Sequence, residues 1–204
     1  MKRFVVLAFL VLWVIGCNRE VGYAPRNGDI IFQTSKSAQS VAIQKATKSR
    51  YSHMGIVFVD NGQARVFEAV EPVKTTLLHE WVSRGENEHF VVKRLKRADE
   101  LLTNESLERM RVIGETKYLN LHYDKYFQWS DDRIYCSELV WKVFKEAVGV
   151  EIGKLGSLGD FDLSDPTVQK LMFDRFGGPA PEDEPVIAPV TMYESDLLET
   201  VHEN

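Results

Sequence analysis

The segment Asp60-Asn61-Gly62-Gln63 constrains this chain more than any other. Asn-Gly adopts positive φ at little cost and so supports a tight two-residue hairpin turn. Apolar runs flank it, Met54 to Val59 before and Ala64 to Val70 after. The spacing therefore predicts an antiparallel hairpin. With the turn centred on Asn61-Gly62, His53 and Glu68 come within one register step of facing each other. Glu68 interrupts an otherwise apolar strand of Val66, Phe67, Ala69 and Val70. A carboxylate so placed can hold an imidazole tautomer and stabilise its charged form. The plainer readings are an exposed alternate on an edge strand for Glu68 and a satisfied structural histidine for His53.

Around the hairpin the pattern mixes strands and helices. Asn27-Gly28-Asp29 turns into a short apolar strand, Ile30-Ile31-Phe32. Residues 37–48 fit a short helix, 77–83 a helical turn or two closed by Gly85, and 90–95 another strand. Thr103-x-x-Ser106 opens a helical stretch to about Lys117, and residues 119–132 form an aromatic-rich loop. Leu139, Val140, Val143, Phe144 and Ala147 recur at helical spacing over Ile134 to Val148, with Gly149 as the stop. Ser164-Asp165-Pro166 starts a helix that runs to Phe176, and Val186 to Met192 fits a final edge strand. The expected architecture is α+β, a small antiparallel sheet packed by helices. A length of 204 residues argues for one domain.

Cys136 falls at the start of the Ile134–Val148 helix. A helix N-terminus presents unpaired N–H groups and partial positive charge, which favour the nucleophilic thiolate. The same N–H groups can stabilise an oxyanion beside the sulfur, the Cys136 amide being the best single donor. An imidazole such as His53 is the usual base for a cysteine. The alternative is a small buried thiol at a helix start. No His/Cys pair has metal-ligand spacing, and neither a phosphate loop nor a dinucleotide fingerprint is present, so no cofactor or metal is expected. The net charge of −5 is well mixed, which argues against a nucleic-acid partner.

The N-terminus reads as a processing signal. Met1-Lys2-Arg3 precedes an apolar run from Phe4 to Ile15, too short to span a bilayer comfortably, and Gly16-Cys17 follows. Val14-Ile15-Gly16-Cys17 resembles a bacterial lipobox. That resemblance implies cleavage after residue 16, lipidation of Cys17 and a membrane anchor, with residues 17–26 as tether and 27–204 as the domain. Asn18 lacks the acidic character of an inner-membrane retention signal, so the expected location is the outer membrane facing the periplasm. Each of the two cysteines has its own explanation, which argues against a disulfide between them.

Four segments carry a family resemblance: Gly28-Asp29-Ile30-Ile31-Phe32-Gln33, Tyr51-Ser52-His53-Met54-Gly55, Val66-Phe67-Glu68-Ala69-Val70, and Trp129 to Val140 around Tyr135-Cys136-Ser137-Glu138. Together they resemble the YiiX/YaeF group of circularly permuted NlpC/P60 (papain-like) hydrolases, in which histidine and acid precede the cysteine. The order His53, Glu68, Cys136 matches. The resemblance implies Cys136 as nucleophile, His53 as base, Glu68 as orienting acid, and Tyr51 and Tyr135 as residues lining the oxyanion site or pocket. It implies an amidase or peptidase acting on envelope amides, such as peptidoglycan peptides or acylated amino acids. Two other functions stay open. One is a lipid acyltransferase of the lecithin–retinol type, which an apolar pocket would favour. The other is a non-catalytic envelope binding module.

Overall fold

The computed structural model describes residues 23–204. Signal, lipobox and Cys17 lie outside the described residues. In chain order the first half comprises β1 (Asp29–Ser35), α1 (Ser40–Thr47), β2 (His53–Asp60), β3 (Gln63–Glu68), β4 (Lys74–Leu77), α2 (Leu78–Ser83) and β5 (Gly85–Leu95). Then follow α3 (Ala98–Leu101), α4 (Asn104–Ile113) with a π-helical extension over Gly114–Tyr118, β6 (His122–Tyr123), β7 (Arg133–Ile134) and α5 (Cys136–Val148). The last part holds β8 (Gly156–Ser157), α6 (Pro166–Phe176), β9 (Pro185–Val186), α7 (Pro189–Tyr193) and β10 (Leu198–Glu203).

One six-stranded sheet, ordered β10-β5-β1-β2-β3-β4, organises the molecule. Every neighbouring pair in it is antiparallel. The Asn-Gly turn closes the β2–β3 hairpin as expected, with φ of 50° at Asn61 and 78° at Gly62. Ile56 pairs with Phe67 and Asp60 with Gln63, so the strand ends place His53 diagonally across from Glu68. Glycine is required between them. A Cβ on Gly55 would sit 2.5 Å from Val66 Cγ1 and 2.7 Å from the Phe67 carbonyl oxygen.

Alternation along the strands gives the sheet two apolar faces. Ile30, Phe32, Met54, Ile56, Phe67 and Val91 pack into one cluster with Leu139, Val140, Val143 and Phe144 of α5. Ile31, Val57, Val66, Phe90 and Val92 pack on the other side with Leu78, Trp81 and Val82 of α2. A third cluster joins α1 to α6 and β9 through Ala42, Val168, Met172 and Val186.

Three expectations need correction. Of the expected Val186–Met192 strand only Val186, the last residue of β9, is extended and paired, and Pro189 at the first helical turn then starts α7. The edge strand is instead the tail, Leu198–Glu203, paired to β5. The cysteine helix begins at Cys136 rather than Ile134, because Arg133 and Ile134 pair in parallel with His122 and Tyr123. Within the span expected to be a tether, Tyr23 is fastened to the sheet. Its hydroxyl donates to buried Asp29, and its ring packs on Phe90 and His202.

Candidate active site

His53 starts β2, Glu68 ends β3 and Cys136 is the first helical residue of α5. All three are buried. His53 Nε2 lies 2.6 Å from Glu68 Oε2, and Cys136 is near enough to the same imidazole to favour its charged form. Since Nε2 is taken by the carboxylate, Nδ1 is the ring nitrogen left for sulfur. Trp81 stacks on the imidazole at 5.8 Å between centroids, which fixes the plane of the ring.

Glu68 is fully buried and accepts from three side chains: His53, Thr76 Oγ1 at 2.6 Å on its other oxygen, and Arg84 Nη2. Thr76 follows from the register. Glu68 pairs with Lys74 and Val66 with Thr76, so Thr76 sits diagonally from Glu68 on the outer strand, as His53 does on the inner one. Arg84 caps the end of α2. Sequence reasoning missed both residues.

The charges follow from these contacts. Burial alone would strip the proton from His53. The interactions with Cys136 and with the Glu68 carboxylate outweigh it, raising the imidazole from 6.5 to about 9. Burial would also raise the Glu68 carboxyl. The bond and charge of His53, together with Thr76 and Arg84, instead take it from 4.5 to about 2. The pair is thus a buried imidazolium–carboxylate over a wide pH range.

This has a measurable consequence for folding. The His53 contribution is complete below the unfolded value of 6.5 and is lost as pH rises through about 9. The Glu68 contribution is complete above 4.5 and is lost as pH falls towards about 2. Urea unfolding is expected to show wild type losing more stability than His53→Gln between about pH 6 and about pH 10. Equal losses would place the charged imidazole elsewhere.

The flanking tyrosines separate. Tyr135, adjacent to the thiol, lines the cavity at Cys136, and its hydroxyl accepts from the Ile187 N–H at 3.1 Å. Tyr51 is packed against Tyr193, with centroids 4.3 Å apart, and against Phe32. It borders neither cavity at the thiol–imidazole pair. His122 is exposed and bonds at 2.6 Å to Glu71, which borders the cleft beside His53.

Two spaces meet at this pair. On the cysteine side is a narrow cavity of about 60 Å³ running between α1 and α6, walled by Ala42, Ala46, Leu163, Val168 and Met172. On the histidine side is an open cleft of about 830 Å³, bordered by Gln33, Gln39, Glu71 and several cationic side chains. The thiol and the imidazole therefore stand between an apolar slot and a polar cleft.

Residues 24–202 match the model of a family described as permuted papain-like amidases, the YaeF/YiiX or C92 peptidase family. The chain belongs to this family. It is 43% identical over 181 residues to a protein of Escherichia coli strain K12 described as uncharacterized protein YiiX, covering 88% of this chain and 87% of that one. A crystal structure described as the metalloprotein YiiX from Escherichia coli O157:H7 superposes with a TM-score of 0.84 at 43% identity, covering 89% of this chain and 99% of that one. Membership gives the permuted papain-like fold, with the cysteine helix late in the chain, and it gives amidase or peptidase chemistry as the family's activity.

Proposed function

We propose that the protein is a thiol-dependent amidase in which Cys136 attacks an amide carbonyl, His53 handles the proton and Glu68 orients His53. The observation that carries this reading is the buried His53 imidazole, 2.6 Å from a carboxylate that accepts three donors and beside a thiol at a helix N-terminus. The thiolate sulfur adds to the carbonyl carbon. The resulting oxyanion lies near the Cys136 N–H, which has no acceptor within its own helix. His53 then donates its proton to the departing nitrogen, releasing an amine and leaving a thioester on Cys136. Water, deprotonated by the now neutral imidazole, hydrolyses the thioester to a carboxylic acid.

The apolar slot beside Cys136 supports an acyl group rather than a polar stem peptide on the thioester side. The same slot is the observation in favour of the second reading, a lipid acyltransferase, which shares every step up to the thioester. N-acylated amino acids of increasing chain length are the test. Hydrolysis is expected with kcat/KM rising about tenfold for each two or so methylenes seated, until the slot is filled. Transfer of the acyl group to an added alcohol or amine in preference to water would move the assignment to acyltransferase. No turnover with any length would contradict both.

The related YiiX structure is described as a metalloprotein. The residues here do not suit a metal at the thiol–imidazole pair. Glu68 is already saturated by three donors, one of them an arginine cation. Among the described residues no group of three or more His, Cys, Asp or Glu could hold an ion.

The Gly16-Cys17 signal supports placement as a lipoprotein, anchored through Cys17 and facing the periplasm from the outer membrane. Cys17→Ser is expected to move the protein from the membrane fraction to the soluble fraction or to leave its signal uncleaved. An unchanged membrane fraction with a cleaved signal would contradict the anchor.

A further inference from the structure

The positions of thiol and imidazole assign the two halves of a substrate to the two spaces. Cys136 keeps the acyl group, so that half occupies the slot Cys136 lines. His53 must reach the leaving nitrogen, so the amine half occupies the cleft His53 lines. This assignment rests on the hydrolase reading above. The charge of the cleft then describes the amine.

The protein carries a net charge of −5, yet this cleft is cationic. Lys36, Lys125, Arg133 and Arg175 line it, and among the described residues none of them forms an ion pair with a carboxylate. The fifth basic residue, Arg84, is spent on Glu68. The acid in the lining, Glu71, is engaged by His122 and by the Tyr123 N–H.

Arg175 is held in place by its neighbours. Its Nη2 donates to Gln39 Oε1 at 2.6 Å, and its guanidinium stacks over the Phe127 ring at 4.9 Å. Gln39 is fixed in turn by donating to the Tyr123 hydroxyl at 2.7 Å. This leaves Arg175 Nη1, shielded from solvent and with no hydrogen-bond partner. A buried cationic N–H without an acceptor is costly, and a planar fork held in place is matched by a carboxylate.

We propose that this cleft is an anion subsite with Arg175 as its specificity-determining contact, so that the amide cleaved joins an apolar acyl group to an amino compound bearing a carboxylate. Lys36, Lys125 and Arg133, all exposed, add a field that draws the anion in and that salt weakens.

The test is calorimetric binding to the full chain carrying Cys136→Ala, with N-octanoyl-L-alanine and its neutral carboxamide as probes. The acid is expected to bind about tenfold more tightly than the amide, the amount a charged hydrogen-bonded contact contributes. Arg175→Gln on the same background is expected to equalise the two by weakening the acid alone. Equal affinities in the parent, no binding of either probe, or a preference that survives Arg175→Gln overturns the assignment. Should Arg175→Gln fail to fold, Arg175→Lys keeps the charge and loses the fork. Its preference is expected to drop several-fold, and an undiminished preference overturns the proposal. Because this readout needs no turnover, it is separable from the hydrolase reading. A wild type that hydrolyses neither probe while the binding preference persists would refute the chemistry and leave the subsite standing.

Discussion

Cys136→Ala is expected to reduce amide hydrolysis by a factor on the order of 10⁴ or more while the protein stays folded. In the proposed mechanism the thiol forms the covalent bond, and neither Glu68 nor Tyr135 can replace it. Glu68 is tied to three donors, and the Tyr135 hydroxyl accepts a backbone N–H. The substitution removes one buried sulfur from a well-packed helix start, a loss of about 1 kcal/mol. Ligand affinity should survive, because the slot and the cleft are built from other residues. Steady-state rates with an N-acyl amino acid, alongside thermal unfolding and binding, check this. Substantial residual turnover in a folded variant would remove Cys136 as nucleophile. Unchanged binding without turnover in wild type would favour the binding module.

Glu68→Ala carries the second large effect, and it falls on stability and activity together. The substitution leaves the His53 charge and the Thr76 hydroxyl facing an empty buried site. Breaking a buried pair by removing one partner costs about 3–5 kcal/mol. Arg84 is 41% exposed and can turn to water, so the lower end of that range is expected. Glu68→Gln keeps an oxygen for His53 and can turn its amide towards the Thr76 oxygen. It should lower kcat/KM by on the order of 10²-fold, less than His53→Ala, and cost less stability. Denaturant titrations and rates on the three variants separate the roles. Total inactivity of Glu68→Gln accompanied by unfolding would make Glu68 a structural residue only.

The parts of this site legible in the sequence are those fixed by short-range geometry. Asn61-Gly62 sets the register of one hairpin, and register alone carries His53 to Glu68. The helical spacing of Leu139, Val140, Val143 and Phe144 points to a helix with Cys136 near its start. The start itself moved by two residues, because a parallel pairing with distant His122 and Tyr123 claims Arg133 and Ile134. What the sequence hid depends on contacts between remote segments. Thr76 lies in a four-residue strand, Lys-Thr-Thr-Leu, whose polar pattern reads as loop until β3 pairs with it. Arg84 reaches Glu68 only because α2 folds back over the sheet, and Arg175 arrives from a helix more than a hundred residues beyond Gln39. Tyr51 sits beside the histidine motif, but its ring belongs to Tyr193 of α7. The tail strand Leu198–Glu203 was hidden for the same reason, since its partner is β5.

The central claim is that His53 activates Cys136, and the most direct measurement is the rate of Cys136 alkylation by iodoacetamide near neutral pH. It is made on protein carrying Cys17→Ser, so that one thiol remains. Wild-type His53 is expected to give rapid, stoichiometric labelling at Cys136, and His53→Ala to slow it by at least about tenfold in a protein that remains folded. Labelling equally slow with and without His53 would contradict the account, because the imidazole would then do nothing for the thiol beside it.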